Sequence, residues 1–432
     1  VTHARTFQAF LDHLDALGLF HMDLTLDRMA AFVKRIALPC FPVLHVVGTN
    51  GKGSTATILS ELLRAHGLRV GLYTSPHFLS VRERILVDGA MLPEEAWARL
   101  GHEALRLSEG LGLTYFELLT AVGVLAFADA GCDVAVMEAG LGGRFDATNV
   151  LGPALTVFTP IGLDHMDVLG STLAKIAADK AGAMRPGGLA ISAHQEPEAL
   201  LVLQAAAREA GAELVGVGEV LSYSRAKGRV APGTSRHAGK ALVQPMTGLR
   251  LGLSGLHQQE NARLALAAFS LWSARMRLPV FEEACREALG RAFIPGRMQR
   301  VPRSAALPEL ILDGGHNAHG LAALKASLDA DGLCPAAVVF GCLRDKPLDT
   351  MLPLVRSLAH GPVYAVGIPS CPRALEPHEL AGLLGDGAVP AADVHAALSA
   401  LADSAGPVLV CGSLYLLGEF YTRHPGLLER PL

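Results

Sequence analysis

The residues of this 432-residue chain that can do chemistry cluster where short apolar runs end. The first group is Gly48-Thr49-Asn50-Gly51-Lys52-Gly53-Ser54. It follows the run Val43 to Val47, apolar except for one histidine, and precedes a helical pattern with Ile58, Leu59, Leu62 and Leu63 on one face. Strand, glycine-rich loop and helix in that order make a phosphate cradle. Glycines let backbone N–H groups curl round phosphate oxygens at a helix N-terminus, lysine neutralises their charge, and a hydroxyl reaches Mg²⁺. The loop is not a standard Walker motif, because Val46 stands at the first glycine position and Gly53 separates Lys52 from Ser54. The flanking strand and helix favour phosphate binding by Asn50, Gly51, Lys52, Gly53 and Ser54 over an ordinary glycine-rich turn.

Three further runs deliver polar residues in the same way. Arg69 to Tyr73 leads into Thr74-Ser75-Pro76-His77, Val134 to Met137 into Glu138 and a glycine-rich stretch ending at Arg144, and Leu155 to Phe158 towards Asp164-His165. Ligands of open parallel α/β sheets lie beyond the carboxyl ends of the strands, so Lys52, Ser54, Ser75, Glu138 and His165 are expected to converge. Glu138 is a candidate for the acidic group that holds Mg²⁺, with a solvated or helix-capping carboxylate as the alternative. Imidazole is an uncommon Mg²⁺ ligand, so His165 reads by type alone as structural. Lys180, in an alanine-rich helical stretch beside Asp179, reads as a lysine that snorkels or pairs with its neighbour. Later, Leu310 to Leu312 runs into Asp313-Gly314-Gly315-His316-Asn317, and Arg297 follows a Pro-Gly break, placed either to clamp phosphate or to pair with a carboxylate.

The elements that must position these residues alternate between strand and helix, which predicts an α/β fold. Residues 171 to 182 and Asn261 to Ser273 read as helices. From Ala212 to Leu253 the pattern loosens, as in an antiparallel excursion or exposed loops. The Phe293 to Arg297 segment marks a boundary, giving an expected first domain over 1–295 and a smaller α/β domain over 296–432. Half the residues are hydrophobic and 18% are charged, the balance of a globular protein. With 37 Lys and Arg against 41 Asp and Glu, the net charge is -4, and no basic stripe offers a nucleic-acid footprint. Seven scattered cysteines without a Cys-x-x-Cys pair exclude a disulfide framework or zinc ribbon and suit a cytoplasmic protein. Val1 to Phe20 shows no signal-peptide or lipidation pattern, and apolar runs such as Leu118 to Ala128 fall short of the roughly 20 residues a membrane span needs. Nothing in the composition requires more than a monomer.

Taken in order, Gly48 to Ser54, Tyr73 to His77, Leu113 to Glu117, Glu138 to Arg144, Leu163 to His165, Asp179 to Gly182, Pro295 to Arg297 and Asp313 to Asn317 resemble the folylpolyglutamate synthase and dihydrofolate synthase family of Mur-type ligases. The non-standard phosphate loop is the form this family uses. The resemblance implies a P-loop domain with a mostly parallel sheet, a Rossmann-like C-terminal domain, and an ATP-dependent glutamate ligase. It implies ATP, Mg²⁺ and a monovalent cation such as K⁺ as cofactors, and dihydropteroate, folates and L-glutamate as small-molecule partners. By resemblance Lys52 and Ser54 hold phosphates, Ser75, Glu138 and His165 ligate Mg²⁺, and Asn261, Arg297 and Asp313 surround ATP. Lys180 becomes a carbamylated lysine, and His316 and Ser413 lie near the incoming glutamate. The segment Met22 to Met29 resembles a pterin pocket, implying acceptor contacts at Asp23 and Arg28, with Thr114 and Phe116 beside them. One departure is visible: the family's usual Asp-x-Ala-His-Asn-Pro is Asp-Gly-Gly-His-Asn-Ala here. Both glutamylation activities are expected, with polyglutamylation alone as the alternative; a Mur-type ligase for a cell-wall nucleotide or another amino-acid polymer and a P-loop switch that makes no bond are the competing readings.

Overall fold

A computed structural model of the chain describes residues 6–18, 25–36, 41–224, 229–233 and 246–430. Two compact units result, the first formed by Val1–Arg250 with Asn261–Arg291 and the second by Leu251–Glu260 with Ala292–Leu432. The second unit therefore begins just before the 295/296 boundary expected from sequence and takes in a short earlier segment.

In the first unit the central apolar runs become strands because they are buried on both faces, a place that suits β-branched residues and leaves backbone groups paired in the ladder, while the edge strands are partly exposed. The strands are β1 (Val43–Val47), β2 (Val70–Tyr73), β3 (Ile85–Val87), β4 (Ala90–Met91), β5 (Val134–Glu138), β6 (Leu155–Phe158), β7 (Leu189–Ser192) and β8 (Glu213–Gly216). Their order is β4-β3-β2-β5-β1-β6-β7-β8, with β2, β5, β1, β6, β7 and β8 parallel and β3 and β4 forming an antiparallel edge. Register sets the height of the site: Val46 of β1 lies opposite Glu138 of β5, and Val47 lies opposite Phe158 of β6. The loops after these three strands therefore leave the sheet at one level. Where the sequence loosens, the chain makes a small antiparallel sheet of β9 (Leu221–Ser224), β10 (Arg229–Pro232) and β11 (Met246–Thr247).

The second unit repeats the logic on a smaller scale. Its sheet contains β12 (Gln299–Val301), β13 (Leu310–Leu312), β14 (Ala337–Phe340), β15 (Val363–Val366), β16 (Ala388–Ala391) and β17 (Val408–Cys411), ordered β12-β13-β17-β14-β15-β16 and parallel except for β12. Cys342 and Cys411 lie buried in its core, where burial pushes both thiols up and away from nucleophilic use. Among the described residues no helix is long and apolar enough to cross a membrane.

One face of the larger sheet packs against the helix Tyr115–Asp129, on which Glu94–Leu107 packs in turn, in a core that includes Trp97, Tyr73 and Phe127. Phe127 is completely buried, with Phe41 edge-on at 6.3 Å between ring centroids. Replacing it by alanine removes a ring from a core that relaxes only in part, so Phe127→Ala should cost about 3–5 kcal/mol in denaturant unfolding. A loss below about 1 kcal/mol would mean that this layer does not anchor the sheet.

Candidate active site

The phosphate loop is shaped by its own backbone and by what presses on it. Gly51 has a left-handed φ of 82° and precedes the helix Lys52–Ala65. A Cβ at Gly51 would overlap the side-chain oxygen of Asn261, so glycine is needed both for the turn and for this close approach. Asn261 is buried against the loop. The loop is tied to the segment after β6: Thr49 and Asn50 donate backbone N–H bonds to the Pro160 carbonyl at 3.0 and 3.3 Å, and Thr49 Oγ1 donates to the Gly162 carbonyl at 3.0 Å. Lys52 is half-buried with Nζ 3.2 Å from the Thr49 carbonyl, and Ser54 is buried in the first turn of the helix.

Glu138 ends β5 beside this loop. Its carboxylate accepts the backbone N–H of Ser75 at 3.0 Å, which joins the loop after β2 to that after β5, and its Oε2 lies 3.4 Å from where a Cβ on Gly53 would stand. Glu138, Ser75 and the Lys52–Ser54 turn thus come together as the strand ends predict. His165 stands exposed on the loop after β6 with φ of 50°, at the start of the short helix Met166–Leu169. Among the described residues, no three His, Cys, Asp or Glu side chains form a closed metal cage. One carboxylate beside a phosphate loop is nevertheless the donor set a nucleotide-borne Mg²⁺ needs, since it keeps waters and phosphate oxygens for most of its shell.

Lys180 departs most from its sequence reading. It does not snorkel: it is 4% exposed, and Nζ donates to the Gly48 carbonyl at 2.8 Å. Burial first, then the Lys52 charge, lowers its pKa to about 7, against the pull of Asp179, Asp146 and Asp164. The loop following Glu138 makes this burial possible. Gly143 donates its N–H to Asp179 Oδ1 at 2.9 Å, and a Cβ on Gly143 would lie 2.6 Å from the Lys180 carbonyl oxygen. Asp146, also buried, closes the same loop by accepting the Leu141 N–H at 2.9 Å. Asp146 is not singled out by sequence reasoning, and Asp179 and Glu117 enter it only as members of the stretches Asp179 to Gly182 and Leu113 to Glu117, without a role of their own.

The residues expected around an acceptor are organised by Glu117. Thr114 and Glu117 form a capping box at the start of the helix Tyr115–Asp129. Arg28 donates to both Glu117 oxygens, at 2.9 and 3.1 Å, so its guanidinium braces this helix start. Phe116 meets Tyr73 edge-on at 5.8 Å. Nearby, His77 accepts from Arg84 Nε at 2.8 Å; burial, then that cation, takes its pKa down to about 3, and it stays neutral. Asp23 lies outside the described residues.

In the second unit, Asp313 is buried at the end of β13 and accepts the N–H groups of Met298 at 2.9 Å and Gly315 at 2.8 Å. It thereby fixes the turn that carries half-buried Arg297. His316 Nδ1 lies 2.9 Å from the Gly314 carbonyl. Ser413 is buried at the start of the helix Leu414–Arg423, its hydroxyl accepting the Tyr415 N–H at 3.1 Å.

Known proteins match this arrangement over most of the chain. Residues 46–269 match the Mur ligase middle domain and residues 296–414 the Mur ligase glutamate ligase domain. The dihydrofolate synthase/folylpolyglutamate synthase of Escherichia coli is 34% identical over 423 residues, covering 96% of this chain and 95% of that protein. E. coli FolC in complex with DHPP and ADP superposes with a TM-score of 0.86 at 32% identity, over 98% of both chains. The bifunctional Yersinia pestis enzyme complexed with AMPPNP and a Mn ion gives 0.85 at 31% identity, over 97% of this chain and 98% of that one. The chain belongs to the dihydrofolate synthase/folylpolyglutamate synthase family of Mur ligases, which are ATP-dependent ligases.

Proposed function

We propose that this chain joins L-glutamate both to dihydropteroate and to the glutamate tail of folates, with ATP cleaved to ADP and phosphate. The observation that carries this reading is the packing of Glu138, Lys180 and Asn261 round the Gly48–Ser54 loop. A carboxylate resists attack by an amine because oxide is too poor a leaving group. In the proposed reaction the acceptor carboxylate first attacks the γ-phosphorus, ADP departs, and an acyl phosphate forms. The amine of glutamate then adds to its carbonyl carbon, and the tetrahedral adduct expels phosphate and loses a proton to leave the amide.

The work of the chain is positioning and charge neutralisation. The backbone of Asn50 to Ser54 and the Lys52 ammonium hold the phosphates, and Asn261 braces Gly51 from behind. Ser75, Glu138 and His165 would hold Mg²⁺, which when bound neutralises phosphate charge and aligns the attack. Lys180, carbamylated, would supply an anionic oxygen for a second cation, with K⁺ as a further monovalent partner. Its lowered pKa supports this role, because only a neutral amine adds to CO₂. Arg297 and Asp313 serve ATP and His316 and Ser413 the incoming glutamate, while Arg28, Thr114 and Phe116 shape the acceptor side. The reading further places a monomeric enzyme in the cytoplasm.

Two measurements test it. Purified protein with ATP, glutamate and dihydropteroate should form dihydrofolate; extension of folate without any dihydrofolate would reduce the activity to polyglutamylation. For Lys180, the neutral amine dominates above its pKa of about 7, so activity at fixed bicarbonate should climb with pH through that value. Stability should move the same way: the folded chain releases this proton near pH 7 and the unfolded chain only near 10.5, so unfolding becomes harder as pH rises between them. Lys180→Ala should lose about a hundredfold or more in rate. A short carboxylic acid should restore part of it, and absence of both rescue and carbamate mass would remove the carbamate from the mechanism.

A further inference from the structure

β1 carries one polar side chain into the interior of the first unit. His45 is fully buried, and its Nε2 lies 2.7 Å from Thr148 Oγ1. That hydroxyl lies 2.5 Å from Asp146 Oδ1, which also accepts the Thr148 N–H at 3.0 Å, while Asp146 Oδ2 accepts the Leu141 N–H. Burial pushes the Asp146 pKa up, while the Thr148 hydroxyl and the N–H groups of Leu141, Thr148 and Gly140 all donate to its carboxyl group, a set of donors that favours the ionised form. The single hydroxyl proton of Thr148 therefore points at Asp146, its oxygen has only lone pairs to offer His45, and Nε2 must carry the proton. Nδ1, which has no hydrogen-bond partner, is the bare nitrogen. Burial, then the Arg185 cation, takes the His45 pKa down to about 3, so no second proton is taken up.

We propose that His45 is a positioning residue for the ligase reaction: as the Nε2–H tautomer it aims the Thr148 hydroxyl at Asp146 and so holds the Leu141–Gly143 turn between Glu138 and Lys180. The chain of donors has a direction, from imidazole to hydroxyl to carboxylate. Reversal, with the proton on Nδ1, would make Thr148 donate to Nε2 and turn an oxygen lone pair towards the carboxylate. Asp146 would then lose a donor while its hold on Leu141 is still required. That turn is one wall of the Lys180 site, because Gly143 packs on the Lys180 backbone. The effect on catalysis rests on the ligase reading given above; the tautomer does not.

The imidazole nitrogens in the intact chain test the first part by ¹⁵N NMR. Nε2 should be protonated and Nδ1 bare across about pH 5 to 8, the range in which an ordinary histidine titrates; a proton on Nδ1 overturns the proposal whatever the activity. Kinetics test the second part. His45→Leu and Thr148→Val should each lower kcat roughly ten- to a hundredfold, the scale of losing a buried hydrogen bond to a charged acceptor, with KM for ATP less affected. The double variant should be no worse than either single one. His45→Gln and Thr148→Ser, which keep a donor and a hydroxyl, should retain most of the rate. Additive losses, or equal losses in the Gln and Leu variants, sink the positioning role. If His45→Leu does not fold, His45→Asn, whose shorter amide does not span to Thr148, replaces it. Absence of glutamate ligation in the unaltered protein would fail the ligase reading alone.

Discussion

Two lysine side chains share one phosphate loop, and one of them is shut away from water. Lys52 is half-buried with Nζ on the Thr49 carbonyl, while Lys180 is enclosed with Nζ on the Gly48 carbonyl. Desolvation and like charge act together on the enclosed group, and its pKa falls to about 7. The surrounding structure can be read as what this burial requires. Gly143 is needed where a side chain would strike the Lys180 backbone, and Asp179 anchors that same glycine. Converting the amine to a carbamate would reverse the sign of the interaction, so that Lys52 attracts the group it now repels.

The arrangement of strands was legible because parallel strands buried on both faces must be apolar, while the loops after them are free to be polar. This makes Ser75, Glu138 and the Lys52–Ser54 turn conspicuous before any coordinates. The burial of Lys180 was not legible. An alanine-rich helix with an Asp-Lys pair looks the same whether it faces water or a glycine loop, and only the distant Gly142-Gly143 segment decides between them. His45 had a weak signal, one polar residue in an otherwise apolar strand. Its partner Thr148 is 103 positions away, beyond any local pattern.

The start of the helix Tyr115–Asp129 shows the same division. Thr114 and Glu117 have capping-box spacing, which sequence displays, but the guanidinium that locks the box comes from Arg28, 89 positions earlier. A carboxylate that accepts backbone N–H and a bidentate guanidinium together is firmly oriented. Arg28 thus fixes the helix start that carries Thr114 and Phe116.

The departure from the family's Asp-x-Ala-His-Asn-Pro pattern can be judged on the same physical grounds. Asp313 accepts from Gly315 within its own loop and from Met298 beyond Arg297, so one carboxylate joins two segments. A Cβ at position 315 would stand 3.0 Å from Asp313 Oδ1, tight enough that the carboxylate or the loop would have to shift. With glycine there, Asp313 keeps both bonds without displacement. Ala318, in place of the family's proline, begins the helix Ala318–Ala330, and the Asn317 side chain caps that helix by accepting the Gly320 N–H at 2.8 Å. Proline at the first helical position would fix φ in advance, but the cap supplies the same start from the other side of the bond. The two substitutions leave the anchoring of Asp313 and Asn317 intact, so the altered motif still holds its shape.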